Sequence, residues 1–321
     1  VTAPQRQGRR RVLKRVLGPA LGLLLLGGAL WVVRGELGEH SLREVLATLR
    51  SLPLSRVALS LLATVIGYAA LSGQDLLALH WLGARLPARK ALLAGFEGFA
   101  FANTLPLAVV AGGAVRARFY AGSKLSKAEI ADLVLFNTAT YALGLLAATG
   151  IAFTLEPAAI PGLLGLPVHS TRPLGLVALA LLGLFLWWSA RGGPTLRVGK
   201  RTLRPTPIGM SLARLGVSLL DWVFSGLALY LLLPHADAYH FMGFLGVFML
   251  GQIAGLLAQL PGGIGVFEAV MLRVLGRSSG VAAVLAALLV YRVVYFLLPL
   301  IVATVILAGH EIGRMRSRSR T

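Results

Sequence analysis

The sequence predicts an all-α integral membrane protein: about six transmembrane helices plus two re-entrant helical hairpins in a 3+3 inverted repeat. Three observations carry that prediction. The chain is 57% hydrophobic and only 13% charged. Apolar runs recur along its length at the roughly 20 residues a helix needs to cross a bilayer. Two of these runs are interrupted by proline and paired glycine. One reads Leu260-Pro261-Gly262-Gly263-Ile264-Gly265-Val266-Phe267-Glu268; its weaker echo, 155 residues upstream, is Leu105-Pro106 followed by Gly112-Gly113 and Arg116. Such breaks at membrane depth are tolerated only where the freed backbone faces protein or a watery cavity. Two of them in corresponding halves point to a substrate path.

The elements follow in order. Arg6, Arg9, Arg10, Arg11, Lys14 and Arg15 precede an apolar run at 16–33. A signal peptide would begin similarly, but this run is long for one and no small-residue cleavage site follows, so it reads as a retained first span. Ser41 to Arg50 reads as a short interfacial helix: Leu42, Val45, Leu46 and Leu49 make one apolar stripe, and Ser41 with Glu44 fits a capping box. Further spans are predicted at 57–81, 129–155, 173–190, 212–233 and 280–309. The intervals 91–121 and 242–276 each have room for two short helices broken at Pro106 or Pro261, and for no comfortable pair of full spans. Pro106, Gly112, Gly113, Pro261, Gly262 and Gly263 are the expected hairpin breaks.

Charge supports this drawing. The net charge of +19 suggests a nucleic-acid binder at first. The basic residues, however, flank the apolar segments, as the positive-inside rule requires, and no region is large enough to fold as a separate soluble binding domain. With basic cytoplasmic tails at 1–15 and 310–321, the segments 82–90, 122–128 and 191–211 are also cytoplasmic and strongly basic. The outer segments are mixed, holding Glu36, Glu39, Arg43, Glu44, Glu156, Arg172 and Asp237. A shift of 155 residues lays the first half, 16–155, on the second, 173–309. Leu105-Pro106 then falls on Leu260-Pro261, Glu97 on Gln252, and Asn137 on Arg292. On this topology one hairpin enters from each side.

Ionisable groups in the apolar segments carry the functional signal, because each costs roughly 2.5–3.5 kcal/mol at mid-membrane on insertion scales. They are Asp75, Glu97, Asp221 and Glu268, with Arg116, Arg118 and Arg292. Arg116 follows Gly112-Gly113 on the returning limb of the first hairpin, within reach of Asp75. That pair is either a phosphate-holding fork or a plain buried ion pair. Glu268 occupies the matching limb of the second hairpin and is the natural partner of Arg292. Asp221 has no partner in sequence. Glu97 and Gln252 are expected to face each other in a structural role, and Arg118 to anchor at the interface. Asn103, Thr104 and Gln259 are expected to satisfy backbone freed by the breaks. Tyr141, Tyr291 and Tyr295 either line the path or pack.

Catalytic signatures are missing. There is no cysteine, His310-Glu311 lacks the second histidine of a zinc protease, and neither a phosphate-binding Gly-Lys-Ser/Thr loop nor a Gly-x-Ser-x-Gly elbow occurs. No catalytic residue, metal or cofactor is expected.

Two stretches resemble a known family. They are Phe99-Ala100-Phe101-Ala102-Asn103-Thr104-Leu105 with Gly112-Gly113-Ala114-Val115-Arg116 and Tyr120, and Gly255-Leu256-Leu257-Ala258-Gln259-Leu260-Pro261-Gly262-Gly263-Ile264-Gly265-Val266-Phe267-Glu268-Ala269. The chain is similar, over essentially its whole length, to the transmembrane flippase domain of lysylphosphatidylglycerol synthases, the multiple peptide resistance factors. The resemblance implies a bacterial inner-membrane flippase that moves an aminoacylated phosphatidylglycerol, or a related lipid, between leaflets. It also matches the family's intramembrane charges to Asp75, Arg116, Asp221, Glu268 and Arg292. The chain carries no transferase domain, so the expected alternatives are a translocase for another lipid phosphate, such as a polyprenyl phosphate, and the membrane part of a longer synthase. Membrane phospholipids are the expected partners, with a homo-oligomer and a soluble or fused aminoacyltransferase domain compatible, and no nucleic acid.

Overall fold

The computed structural model describes residues 42–104, 108–123, 125–157, 170–192, 196–198, 201–203, 206–233, 240–258 and 263–318. The chain forms helices α1 (Leu42–Ser51), α2 (Leu54–Trp81), α3 (Ala88–Thr104), α4 (Ala108–Phe119), α5 (Lys127–Leu155) and α6 (Arg172–Ala190). After a short ribbon of β1 (Leu196–Val198) and β2 (Arg201–Leu203) come α7 (Ile208–Tyr230), α8 (Phe241–Ala258), α9 (Val266–Ser279) and α10 (Val281–Tyr291). A π-helical turn (Arg292–Leu297) joins α10 to α11 (Leu298–Arg318). The predicted span 16–33, the basic tail 1–15 and Ser41 lie outside the described residues.

Local chemistry starts these helices. Pro53 and Pro207 immediately precede α2 and α7; a fixed φ and a missing N–H cost nothing at a helix start. Ahead of α5, Ser126 and Glu129 form a capping box: the Glu129 N–H donates to Ser126 Oγ (3.2 Å) and the Ser126 N–H to Glu129 Oε2 (2.7 Å). In α1, Val45 is buried and Leu49 packs on the core, while Leu46 faces outward. The ribbon departs from the all-α expectation. It pairs Leu196 with Leu203 and Val198 with Arg201 inside the basic segment 191–211.

Among the described residues, six helices are long and apolar enough to cross a membrane: Leu54–Trp81, Lys127–Leu155, Arg172–Ala190, Ile208–Tyr230, Phe241–Ala258 and Val281–His310. Five of these coincide with predicted spans. The sixth, α8, is the incoming limb of the second predicted hairpin. Expected to be too short, it runs 18 residues without a charge, so that limb alone has the length of a span.

Both predicted breaks interrupt a helix. The chain leaves α3 at Thr104 and resumes at Ala108; it leaves α8 at Ala258 and resumes at Val266. Pro106, Pro261 and Gly262 fall in these intervals, outside the described residues. Gly263 (φ 65°) and Gly265 (φ 87°) hold left-handed backbone just ahead of α9, which L side chains rarely adopt. Gly112 and Gly113, expected at the first break, instead lie inside α4. Gly112 serves the crossing: a Cβ there would lie 2.8 Å from the Gly98 carbonyl oxygen of α3, whereas one on Gly113 would make only an ordinary contact with Val134. After each break the chain folds back antiparallel on itself, α4 against α3 and α9 against α8.

Helices α2 and α7 form the central antiparallel contact. Ser60 Oγ donates to the Ala228 carbonyl (2.7 Å), and Gly67 brings α2 close to Asp221. In a bilayer the drive for such contacts is packing and interhelical hydrogen bonding rather than release of apolar surface from water. The core between the halves is aromatic, built from Tyr68, Trp222, Phe244, Phe248, Phe267, Tyr291 and Tyr295. On the periphery, α6 packs on α5 and α7 and exposes Leu176, Val177, Leu181 and Leu184, as suits a lipid-facing helix.

Candidate functional site: two buried charge clusters

The first cluster is centred on Asp75 of α2, which is fully buried. Arg116, on α4, donates through Nε to both its oxygens (2.9 and 3.1 Å). Tyr120 Oη donates to Oδ2 at 2.9 Å, and Asn137 Nδ2, from α5, donates to Oδ1 at 2.6 Å. Three elements thus converge on one carboxylate. The guanidinium lies 4.5 Å over the Phe99 ring and flat against Gly98, where a Cβ would sit 2.5 Å from Arg116 Cζ. Glycine at 98 is therefore a packing requirement of the arginine. Not all of the cluster's capacity is spent. Among the described residues, Arg116 Nη2 and Asn137 Oδ1 are buried and make no hydrogen bond.

The second cluster joins α9 to the π turn. Arg292 donates to Glu268 Oε1 through Nε (2.8 Å) and Nη2 (2.6 Å). The other oxygen of Glu268 accepts the Gly265 N–H at 2.8 Å, so this carboxylate also closes the first turn of α9, where negative charge is favoured by the helix dipole. The Arg292 guanidinium stands 4.7 Å from the Phe296 ring and 5.8 Å from that of Phe267. Both pairs expected from sequence therefore form.

Asp221 lacks a sequence-evident partner, yet it has one. Tyr295 Oη donates to its Oδ1 at 3.2 Å. The Tyr295 carbonyl in turn accepts the Tyr68 hydroxyl at 3.1 Å; a π turn spreads the helix carbonyls and leaves room for such an outside donor. Tyr291 stacks on Tyr295 with centroids 5.2 Å apart, and Tyr141 packs against Trp222 at 4.7 Å. These tyrosines connect the aromatic core to Asp221.

Other expectations come out differently. Glu97 is fully buried, but neither of its oxygens is hydrogen-bonded to Gln252 or to any other described residue. Thr104 does not bridge the first break: its hydroxyl turns back to the Ala100 carbonyl at 2.8 Å, leaving freed backbone to other groups. Gln259 lies outside the described residues. Arg118 is exposed. Among the described residues no three His, Asp or Glu side chains group closely enough to hold a metal ion.

Sequence reasoning passed over one buried cation. Arg214 of α7 is 5% exposed and donates to Thr140 Oγ1 (2.8 Å), Thr206 Oγ1 (3.4 Å) and the Phe136 carbonyl (3.3 Å). It lies 4.1 Å over the Phe136 ring and ties α7 to the stretch of α5 that carries Asn137. Its signal was in the sequence: an arginine three residues into a predicted span.

Over 308 residues the chain is 33% identical to the uncharacterized protein slr0712 of Synechocystis sp., covering 96% of each chain. It is 30% identical over 261 residues to the inner membrane protein YbhN of Escherichia coli, covering 79% of this chain and 80% of that one. A stretch of 100 residues, 30% of this chain, is 35% identical to the phosphatidylglycerol lysyltransferase of Staphylococcus epidermidis, of which it covers 12%. Residues 19–303 match the family described as the lysylphosphatidylglycerol synthase TM region. The chain is a multi-pass membrane protein and belongs to the lysylphosphatidylglycerol synthase transmembrane-region family.

Proposed function

We propose that this protein moves a phosphate-bearing lipid between the leaflets of the bacterial inner membrane, an aminoacylated phosphatidylglycerol being the first candidate. In this reading both termini are cytoplasmic and the two broken helix pairs are re-entrant hairpins that give access from opposite sides. The observation that carries the reading is that each pair holds its returning limb by a buried guanidinium–carboxylate contact. Such groups are costly in a bilayer and almost always serve a substrate path.

The packing supports an inverted repeat. Exchanging the halves maps the α2–α3 contact onto α7–α8 and α4–α5 onto α9–α10. It also maps α3–α11 onto α8–α5, while α2 against α7 maps onto itself. A pseudo-twofold through the α2–α7 contact reproduces that pattern. Arg116 and Arg292 are the phosphate-binding groups. A phosphate drawing either arginine from its carboxylate leaves Asp75 or Glu268 to take an amine, and Asp221 adds a third acid. Arg116 is the better first contact, since its Nη2 has donors to give without breaking the Asp75 pair.

The test is translocation of labelled lipid in proteoliposomes. Arg116→Gln and Glu268→Gln are each expected to abolish movement of lysylphosphatidylglycerol while the purified proteins stay monodisperse. Undiminished movement in both variants would overturn the assignment. One observation favours a second reading: slr0712, matched over 96% of its own length, spans little more than this membrane region. A carrier for a lipid phosphate without an amine fits that size, and would move phosphatidylglycerol or a polyprenyl phosphate in preference to the lysyl lipid.

A further inference from the structure

Neither charge cluster uses Glu97, on α3. It is fully buried, and among the described residues neither carboxyl oxygen has a hydrogen-bond partner. The contrast with its neighbours is sharp, since Asp75 accepts from Arg116, Tyr120 and Asn137, and Glu268 accepts from Arg292 and Gly265. A bare carboxylate in such a place costs several kcal/mol. A neutral acid loses only hydrogen bonds, a much smaller penalty.

Helix α3 packs against α2, α4, the π turn and α11. The titratable side chains those elements bring are Tyr68, Asp75, Arg116, Arg292, Tyr295 and His310, with the remaining charged residues toward the helix ends. Each of the six is engaged elsewhere. Asp75 holds Arg116, and Arg292 holds Glu268. Tyr295 donates to Asp221, Tyr68 donates to the Tyr295 carbonyl, and His310 stacks on Phe119. Nothing among the described residues supplies Glu97 with a countercharge. Its neighbour Gly98 is the surface on which the Arg116 guanidinium rests, so a movement of α3 and α4 as one unit carries Glu97 and Arg116 together.

We propose that Glu97 is a proton-carrying site, holding a proton in the conformation described and exchanging it with water when α3 and α4 part from α2 and α11. On opening, the carboxylic O–H bond breaks, the electron pair stays on the carboxylate and the proton passes to water. Reprotonation from the opposite side restores the buried acid. Coupling of this exchange to lipid movement rests on the transport reading above; the proton site does not.

The experiment uses the full chain in liposomes of phosphatidylethanolamine and phosphatidylglycerol, with Glu97→Gln as the variant. Glutamine is the neutral isostere, and Gln252 stands at the matching position of the other half, so the fold should be kept. Infrared spectroscopy at neutral pH should show a protonated-carboxyl band that loses a component in Glu97→Gln and keeps it in Asp75→Asn. With fluorescent phosphatidylglycerol, one proton per lipid makes a gradient of about one pH unit shift the leaflet ratio by about tenfold. Wild type should show that shift, and Glu97→Gln should equilibrate the lipid with no response to the gradient. An infrared band indifferent to the substitution overturns the proton site. A gradient response surviving in the variant overturns the coupling. If wild type moves no lipid, the transport reading fails by itself and the infrared result still decides the site.

Discussion

The two broken helix pairs use one backbone device with opposite charge. In α3–α4 the returning limb carries the cation, Arg116, and a neighbouring span supplies the acid; in α8–α9 the returning limb carries the acid, Glu268, and the following helix supplies the cation. Their surroundings differ as well. Asp75 is served by two neutral donors besides the arginine, whereas Glu268 spends its second oxygen on the start of its own helix. The cluster around Asp75 keeps unspent hydrogen-bonding groups, Arg116 Nη2 and Asn137 Oδ1. The lesson is that a shared backbone device does not bring chemical equivalence: the first carboxylate sits in a network that keeps a spare donor, and the second ties its own helix start to a neighbouring arginine.

That difference can be broken experimentally, and the largest effect is expected at Asp75. Asp75→Asn leaves the Arg116 guanidinium buried without a countercharge, a loss of about 3–5 kcal/mol, read as a lowered midpoint of thermal unfolding in detergent. Glu268→Gln is expected to cost less, because Arg292 is less deeply buried than Arg116 and keeps two ring faces, Phe296 and Phe267, where Arg116 keeps that of Phe99. An equal drop in the two midpoints would erase the asymmetry. Next comes the double variant Asp75→Asn with Arg116→Gln. With no charge left uncompensated it should recover most of the lost stability yet move no lipid; recovered transport would show that the pair only packs.

A smaller effect is expected from Gly98→Ala. The added methyl collides with Arg116 Cζ, and overpacking of this kind costs about 1–3 kcal/mol. Lipid movement should fall further than stability does, and the equivalent change at an open glycine such as Gly216, which has no neighbour within 4 Å, should leave both intact. Smallest is Tyr295→Phe, which removes one donor from Asp221, for about 1 kcal/mol, measured by the same unfolding midpoint. A loss as large as that of Asp75→Asn would make Asp221, rather than Asp75, the charge the fold depends on.

Much of this arrangement was legible from residue order alone. Proline interrupts a helix, so both breaks were visible, and a guanidinium stranded in an apolar run needs a partner, so both arginine pairs were too. Gly112 and Gly113 misled because a glycine pair inside a helix and one at a turn look alike in sequence. Asn137 and Tyr120 carry no charge to force a pairing, and their role emerges only when α5 and the end of α4 meet at Asp75. The Tyr295–Asp221 contact depends on a π turn that no periodicity announces. Arg214 was missed through a boundary: α7 starts at Ile208, four residues before the predicted span, which moves the arginine from the membrane edge into the second turn.

The widened turn at Arg292–Leu297 has one more consequence. Its first residue grips the second broken pair, its fourth reaches Asp221 by side chain, and the carbonyl of that same fourth residue takes the hydroxyl of Tyr68. Three fastenings to three different helices hang on six consecutive residues. Sliding this helix along its axis by a single position would undo all of them together, so the long C-terminal rod cannot creep; it is either seated or released.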